Sequence, residues 1–155
     1  MTVRTGDRAP GFDLEVTHGE RVRLSDFLGR RNVLLVFHPF AFTPVCEEEA
    51  RDLQENLESF REAQTEIVFV SCDPAPARQA WRHELGAEYV IASDFWTHGE
   101  AAKAYGVFNE ENGAPHRGTF LIDKEGTVVW SLVKIEDERR TEMVPDSLGT
   151  LRGAE

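Results

Sequence analysis

His38-Pro39-Phe40-Ala41-Phe42-Thr43-Pro44-Val45-Cys46 lies between an apolar run and a helical pattern, and the rest of the chain reads as its scaffold. The preceding Val33-Leu34-Leu35-Val36-Phe37 has the length and β-branched content of a buried strand. Pro39 then ends strand pairing by removing a backbone donor. After Cys46 the period changes. Ala50, Leu53, Leu57 and Phe60 recur every three or four residues, with Glu47, Glu48, Arg51, Asp52, Glu55, Asn56 and Glu58 between them, which predicts an amphipathic helix. Pro44 suits its first position and Thr43 its N-cap. Cys46 is thereby predicted at a helix N-terminus, where free N–H groups and the positive end of the helix dipole stabilise an anion. The thiolate is the nucleophilic form of cysteine. Glu49, one turn on, opposes it, so a reactive Cys46 requires the fold to bring a cation. The plain alternative is a small buried hydrophobe.

Outward from this stretch, strands alternate with helices. On the N-terminal side, residues 7–16 read as a turn and short strand and His18-Gly19-Glu20 as a turn. A returning strand follows over 21–24, with Ser25 and Asp26 capping a short turn that ends at Gly29. On the C-terminal side, a strand is predicted over 66–71 and a helix over 75–85 closed by Gly86, then a strand at 89–91 and a short helix over 98–105. Paired strands over 119–123 and 127–133 join at Lys124-Glu125-Gly126. The charged tail from Arg139 reads as a weak last helix. This pattern predicts an α/β fold, a mixed central sheet flanked by helices.

Composition narrows the function classes. The 155 residues suit one domain, taken here as 1–155, with a core of its own. A formal charge of −11 argues against nucleic acid, whose phosphates need a basic surface. No window approaches a membrane span, and Met1-Thr2-Val3-Arg4-Thr5 lacks an apolar signal region, so a cytoplasmic location without membrane association is expected. Two cysteines make neither a disulfide framework nor a zinc site, and His98 and His116 lack metal-ligand spacing with Cys46. No metal and no cofactor are implied.

The spacing Pro39-x-x-x-Thr43-x-x-Cys46 resembles the active-site motif of the peroxiredoxins, thiol peroxidases with a thioredoxin-like fold. Gly6-Asp7-Arg8-Ala9-Pro10-Gly11-Phe12 extends the likeness, as do Ser93-Asp94-Phe95-Trp96-x-His98-Gly99, Ala104-Tyr105-Gly106-Val107-Phe108-Asn109-Glu110 and Arg117-Gly118-Thr119-Phe120. Together they resemble the one-cysteine alkyl hydroperoxide reductase E group. The resemblance implies that Cys46 attacks the peroxide and becomes a sulfenic acid. It further implies that Thr43 orients peroxide and thiolate, that Pro39 shapes and shields the loop, and that Arg117 is the required cation. Glu49 would be the carboxylate held by Arg117. A guanidinium, with several fixed donors, can serve a thiolate and a carboxylate together.

Cys72 follows the second strand and would open on the same side as Cys46, so it reads either as a resolving thiol or as a packed one. The position five residues after Cys46 is Arg51, and the tail has no cysteine, so the resemblance implies a one-cysteine mechanism. The partners implied are peroxide substrates (hydrogen peroxide, organic and lipid hydroperoxides, peroxynitrite), an external thiol reductant such as mycothiol with mycoredoxin or a thioredoxin-like protein, and a second copy in a homodimer. His38 either donates to the thiolate or packs at the strand end. Phe40, Phe42, Phe95, Trp96 and Phe108 are expected around the pocket and in part of the dimer contact. Trp81, Trp96 and Trp130 read as core or interface anchors. Two other classes remain open: a dithiol oxidoreductase, although Cys46-Glu47-Glu48-Glu49 is not Cys-x-x-Cys, and a noncatalytic binding module.

Overall fold

The computed structural model describes residues 2–17, 19–136 and 138–153. In chain order these form β1 (Asp13–Thr17), β2 (Glu20–Arg23), β3 (Asn32–Phe37), α1 (Pro44–Glu55), α2 (Leu57–Glu62), β4 (Thr65–Ser71) and α3 (Ala75–Leu85). Then come β5 (Val90–Ser93), α4 (Glu100–Ala104), β6 (Phe108–Asn109), β7 (Ala114–Pro115), β8 (Arg117–Ile122), β9 (Val128–Lys134) and α5 (Met143–Gly153).

Seven strands make one mixed sheet in the order β2-β1-β5-β4-β3-β8-β9, and β6-β7 form a separate small hairpin. The centre is parallel: β3 pairs with β4, Leu34 opposite Ile67 and Val36 opposite Phe69, and β4 pairs with β5. Antiparallel β8 and β9 extend one side, and β1 and β2 the other. Strand alternation divides the core. Val33, Leu35 and Phe37 face a cluster that includes Phe120, Tyr105 and α4. Leu34 and Val36 face the other, where Cys46, Leu53, Phe60, Trp81 and Met143 arrive from α1, α2, α3 and α5. Both sheet faces are covered, as a run of fully buried aliphatic residues in β3 requires.

Local sequence chemistry explains most element ends. Gly86 closes α3 in the left-handed region at φ 66° and donates to the last-turn carbonyls, a conformation that costs glycine little. The helix after Cys46 is interrupted: the Asn56 side chain bonds the Asp52 carbonyl at 2.8 Å, its backbone leaves the helical region, and α2 restarts at Leu57. The strand expected over 21–24 stops at Arg23 because Leu24–Asp26 turns as a 3-10 helix, with Asp26 accepting from the Arg23 N–H. The last helix begins at Met143, not in the charged segment before it. Of the turn expected at His18-Gly19-Glu20, His18 lies outside the described residues.

Candidate active site

The parallel strands β3 and β4 deliver their C-terminal ends to the place where α1 begins, so His38, Cys72 and the first turn of α1 meet at one end of the sheet. The loop between β3 and α1 is held from below. The Ala41 N–H donates to the Asp73 carboxylate at 2.8 Å, and the same oxygen accepts from Ser71. Phe42 sits at φ 64°, the left-handed region that a bulky residue seldom occupies, and this turns the chain into the helix.

Thr43 occupies the N-cap position without capping. Its hydroxyl donates to the Phe40 carbonyl at 2.8 Å and keeps its lone pairs as acceptors. The first-turn N–H groups of Val45 and Cys46 therefore remain available to an incoming oxygen. Cys46 is fully buried, and its Sγ accepts from Arg117 Nη1 at 3.3 Å. That same nitrogen donates to Glu49 Oε1 at 2.6 Å. The cation that the sequence required is therefore in contact with both groups.

A second arginine, which the sequence reading missed, completes the arrangement. Arg140 is buried and gives Glu49 three hydrogen bonds, from its backbone N–H and Nε to Oε2, both at 2.8 Å, and from Nη2 to Oε1 at 2.9 Å. Its Nη1 is fixed by the Gly118 carbonyl and the Thr119 hydroxyl. Burial works against ionisation of Glu49, but hydrogen bonding and charge from Arg140, with the charge of Arg117, outweigh it and hold the carboxyl below its ordinary range. Glu49 is thus a fixed anion between two cations. Two guanidinium groups therefore stand with this one carboxylate beside the thiol. The only forward hint of Arg140 was its place just ahead of the apolar residues Met143, Val144 and Leu148.

Arg117 begins β8, so its guanidinium is aimed by the sheet and by a close contact beside it. A Cβ on Gly118 would lie 2.8 Å from Val107 Cγ1. A cavity of about 210 Å³ lies outside the buried thiol, lined by Pro39, Phe40, Thr43, His116, Arg117 and Ile135 among others. Pro39, Thr43 and Arg117 share its wall; Cys46 does not line it but is in contact with Arg117.

The remaining predicted residues lie elsewhere. His38 is buried and turned toward α3, where its Nε2 meets Arg78 Nη1 at 2.7 Å. Burial and the surrounding arginines hold it well below the usual imidazole range, so it is neutral, and it makes no hydrogen bond with Cys46. Cys72 is buried past the end of β4, and burial with nearby Asp94 and Asp73 pushes its thiol up to about 12. Phe40, Phe42, Phe95 and Trp96 are exposed, Trp96 at 81%. Phe108 is instead half-buried against the core. Trp81 is buried. Among the described residues no cluster of His, Cys, Asp and Glu is arranged to hold a metal ion, and no helix is long and apolar enough to cross a membrane.

The AhpC/TSA family model matches residues 5–131. The chain is similar to the alkyl hydroperoxide reductase E of Mycobacterium tuberculosis, 36% identical over 150 residues, covering 96% of this chain and 98% of the relative. It is 34% identical over 160 residues to the peroxiredoxin Bcp of Bacillus subtilis, covering 98% and 97%. Among solved structures, the peroxidoxin BcpB from Mycobacterium tuberculosis superposes with a TM-score of 0.87 at 28% identity, covering 98% of each chain.

Proposed function

The chain belongs to the AhpC/TSA family and is a thiol-dependent peroxidase, and from that premise we propose that Cys46 is its peroxide-reactive thiol, working by a one-cysteine mechanism. The observation that carries the assignment is the 3.3 Å contact of Cys46 Sγ with the buried Arg117 guanidinium, which also holds Glu49.

The Cys46 thiolate attacks the near oxygen of the peroxide. The S–O bond forms as the O–O bond breaks, sulfur supplies the electron pair, and the departing alkoxide or hydroxide takes a proton and leaves as alcohol or water. Arg117 and the N–H groups of Val45 and Cys46 meet charge as it moves from sulfur to oxygen, as preorganised donors do best in a water-poor site. Thr43 accepts a hydrogen bond from the peroxide O–H while its own hydroxyl donates to the Phe40 carbonyl, and Pro39 forms the wall that limits water. Glu49 and Arg140 hold Arg117 in place. An external thiol then attacks the sulfenic sulfur, releasing water and forming a mixed disulfide, and a second thiol restores Cys46. Without that reductant, further peroxide takes Cys46 to sulfinic acid. The protonated, buried Cys72 supports its exclusion from resolution.

The apolar part of the cavity wall, Pro39, Phe40, Pro115 and Ile135, supports organic and lipid hydroperoxides as substrates beside hydrogen peroxide and peroxynitrite. The similarity to alkyl hydroperoxide reductase E supports an external thiol reductant; mycothiol with mycoredoxin is the one proposed, a thioredoxin-like protein being the alternative. Exposed Phe42, Phe95 and Trp96 support a homodimer, and residues 1–155 act as one peroxiredoxin domain in the cytoplasm. Peroxide consumption with excess dithiol, compared between wild type and Cys46→Ser, tests the assignment: activity should vanish in the variant, and equal rates would contradict it.

A further inference from the structure

Residues 39–42 cross from the end of β3 to the start of α1 with few ties to the sheet. The His38 N–H still donates to the Val70 carbonyl at 2.9 Å, the last bond that continues the β3–β4 pairing. Pro39 has no N–H to offer. Among the described residues, a single hydrogen bond then joins 39–42 to another part of the sheet, from the Ala41 N–H to Asp73 Oδ2 at 2.8 Å. The loop is otherwise shaped from within, by the left-handed backbone of Phe42 and by the Thr43 hydroxyl on the Phe40 carbonyl.

Asp73 can hold this loop because the sheet holds Asp73 from two sides. Ser71 and Ser93 end the parallel strands β4 and β5 and lie opposite each other. The Ser71 hydroxyl donates to Asp73 Oδ2 at 2.5 Å, and the Ser93 hydroxyl donates to the Asp73 carbonyl at 2.6 Å. The Asp73 N–H returns to the Ser71 oxygen at 3.3 Å. Both serines are buried. One carboxylate oxygen therefore gathers a donor from β4 and a donor from the loop, and a bond to an ionised acceptor is stronger than a neutral one.

The consequence lies in what shares the loop. Ala41 stands between Phe40, whose carbonyl takes the Thr43 hydrogen, and Phe42, whose φ of 64° turns the chain toward Thr43. A shift of Ala41 carries the Phe40 carbonyl with it and turns the Thr43 hydroxyl. Phe40 and Thr43 line the cavity outside the thiol, and Asp73 does not. Asp73 acts on that cavity through the loop, without touching the reacting atoms.

We propose that Asp73, fixed by Ser71, is a positioning residue for peroxide reduction: its carboxylate holds the Ala41 N–H and thereby keeps the Phe40 carbonyl and the Thr43 hydroxyl aligned to receive the peroxide. The proposal rests on Cys46 being the reacting thiol and Thr43 the group that orients the peroxide.

The test compares two reactions of Cys46 in the full chain at pH 7: oxidation by hydrogen peroxide in stopped flow, and alkylation by iodoacetamide read by peptide mass spectrometry. Alkylation needs the thiolate but not Thr43. Asp73→Ala should slow oxidation about tenfold, the size of one hydrogen bond lost, and leave alkylation no slower. Asp73→Asn should stay within about threefold of wild type, because Ala41 and Ser71 share one oxygen and an amide oxygen can take its place. In a Thr43→Val background the further slowing by Asp73→Ala should fall below about twofold, since the two residues act as one unit. A wild-type oxidation rate in Asp73→Ala overturns the proposal, as does equal slowing of both reactions, or the same tenfold loss with and without Thr43. If Asp73→Ala does not fold, Ser71→Ala decides: oxidation slowed about threefold with alkylation no slower supports the role, and a wild-type oxidation rate overturns it. A wild-type Cys46 that resists peroxide overturns the reading beneath the proposal and the positioning role with it, whereas a reactive wild type with an unaffected Asp73→Ala overturns the positioning role alone.

Discussion

Glu49→Gln changes one atom type, and the structure fixes its consequence. Among the described residues four hydrogen bonds reach the carboxylate, all from N–H donors: Arg117 Nη1 and Arg140 Nη2 on Oε1, and the Arg140 backbone N–H and Nε on Oε2. A glutamine must place its NH2 group at one of those two positions, and in either orientation a donor faces two donors. The two buried guanidinium groups also lose their shared counter-ion. Breaking a buried ion pair by removing one partner costs about 3–5 kcal/mol. Two lost charge-assisted bonds at about 1.5–3 kcal/mol each give about 3–6 kcal/mol, an overlapping range. A chain of this size loses roughly 2–4 °C of unfolding midpoint per kcal/mol, so at about 4 kcal/mol the midpoint falls by about 8–16 °C. Differential scanning calorimetry of reduced protein measures it. Glu47→Gln is the control, because Glu47 pairs with Arg51 at 2.8 Å but both side chains are substantially exposed, a pair worth about 0–1 kcal/mol. A Glu49→Gln midpoint no lower than that of Glu47→Gln would refute the reasoning.

The same carboxylate gives a pH signature. Its native value is lowered from 4.5, so its contribution is complete above the unfolded value and is lost as pH falls through the native one. Urea midpoints below about pH 4.5 should therefore fall more steeply in wild type than in Glu49→Gln, and parallel curves would contradict this. Arg117→Met removes the donor 3.3 Å from Sγ. A hydrogen bond to a charged group is worth about 1.5–3 kcal/mol, so stopped-flow oxidation of Cys46 should slow by about 10- to 150-fold, with Arg117→Lys intermediate. With the Cys72 thiol held at about 12, iodoacetamide at pH 8 should label Cys46 and spare Cys72 in native protein, as read by peptide mass spectrometry. Equal labelling would show that Cys72 is accessible and acidic.

The part of the fold around β3 and α1 was legible because its signals are local: a short β-branched run, a proline that ends it, and a change of period after Cys46. The extent of α3 was legible from Gly86 for the same reason. The break at Asn56 was not, since the apolar period runs through it and only the side chain's bond to Asp52 shows the competition. The β6-β7 hairpin has two residues per strand and leaves no period to read. Cys46, Glu49 and Arg117 were marked by the motif, and the fold brings them together. Arg140 was hidden because its burial depends on Glu49, far away along the chain, while its neighbours Glu138 and Arg139 make the segment look like a solvated tail. Arg78 was hidden by its position on a helix whose pattern allows a solvent-facing arginine. Its burial follows from the acceptors that β4, β5 and His38 offer at the strand ends.

The most direct test of the central claim is intact-mass spectrometry of the reduced protein after one equivalent of peroxide with a sulfenic-acid trap, on wild type and Cys72→Ala. A single trapped adduct on Cys46 in both is the expected result. A wild-type protein lighter by two hydrogens, with a Cys46–Cys72 disulfide and an adduct only in Cys72→Ala, would contradict the one-cysteine mechanism. An unmodified Cys46 would contradict its role as the reacting thiol.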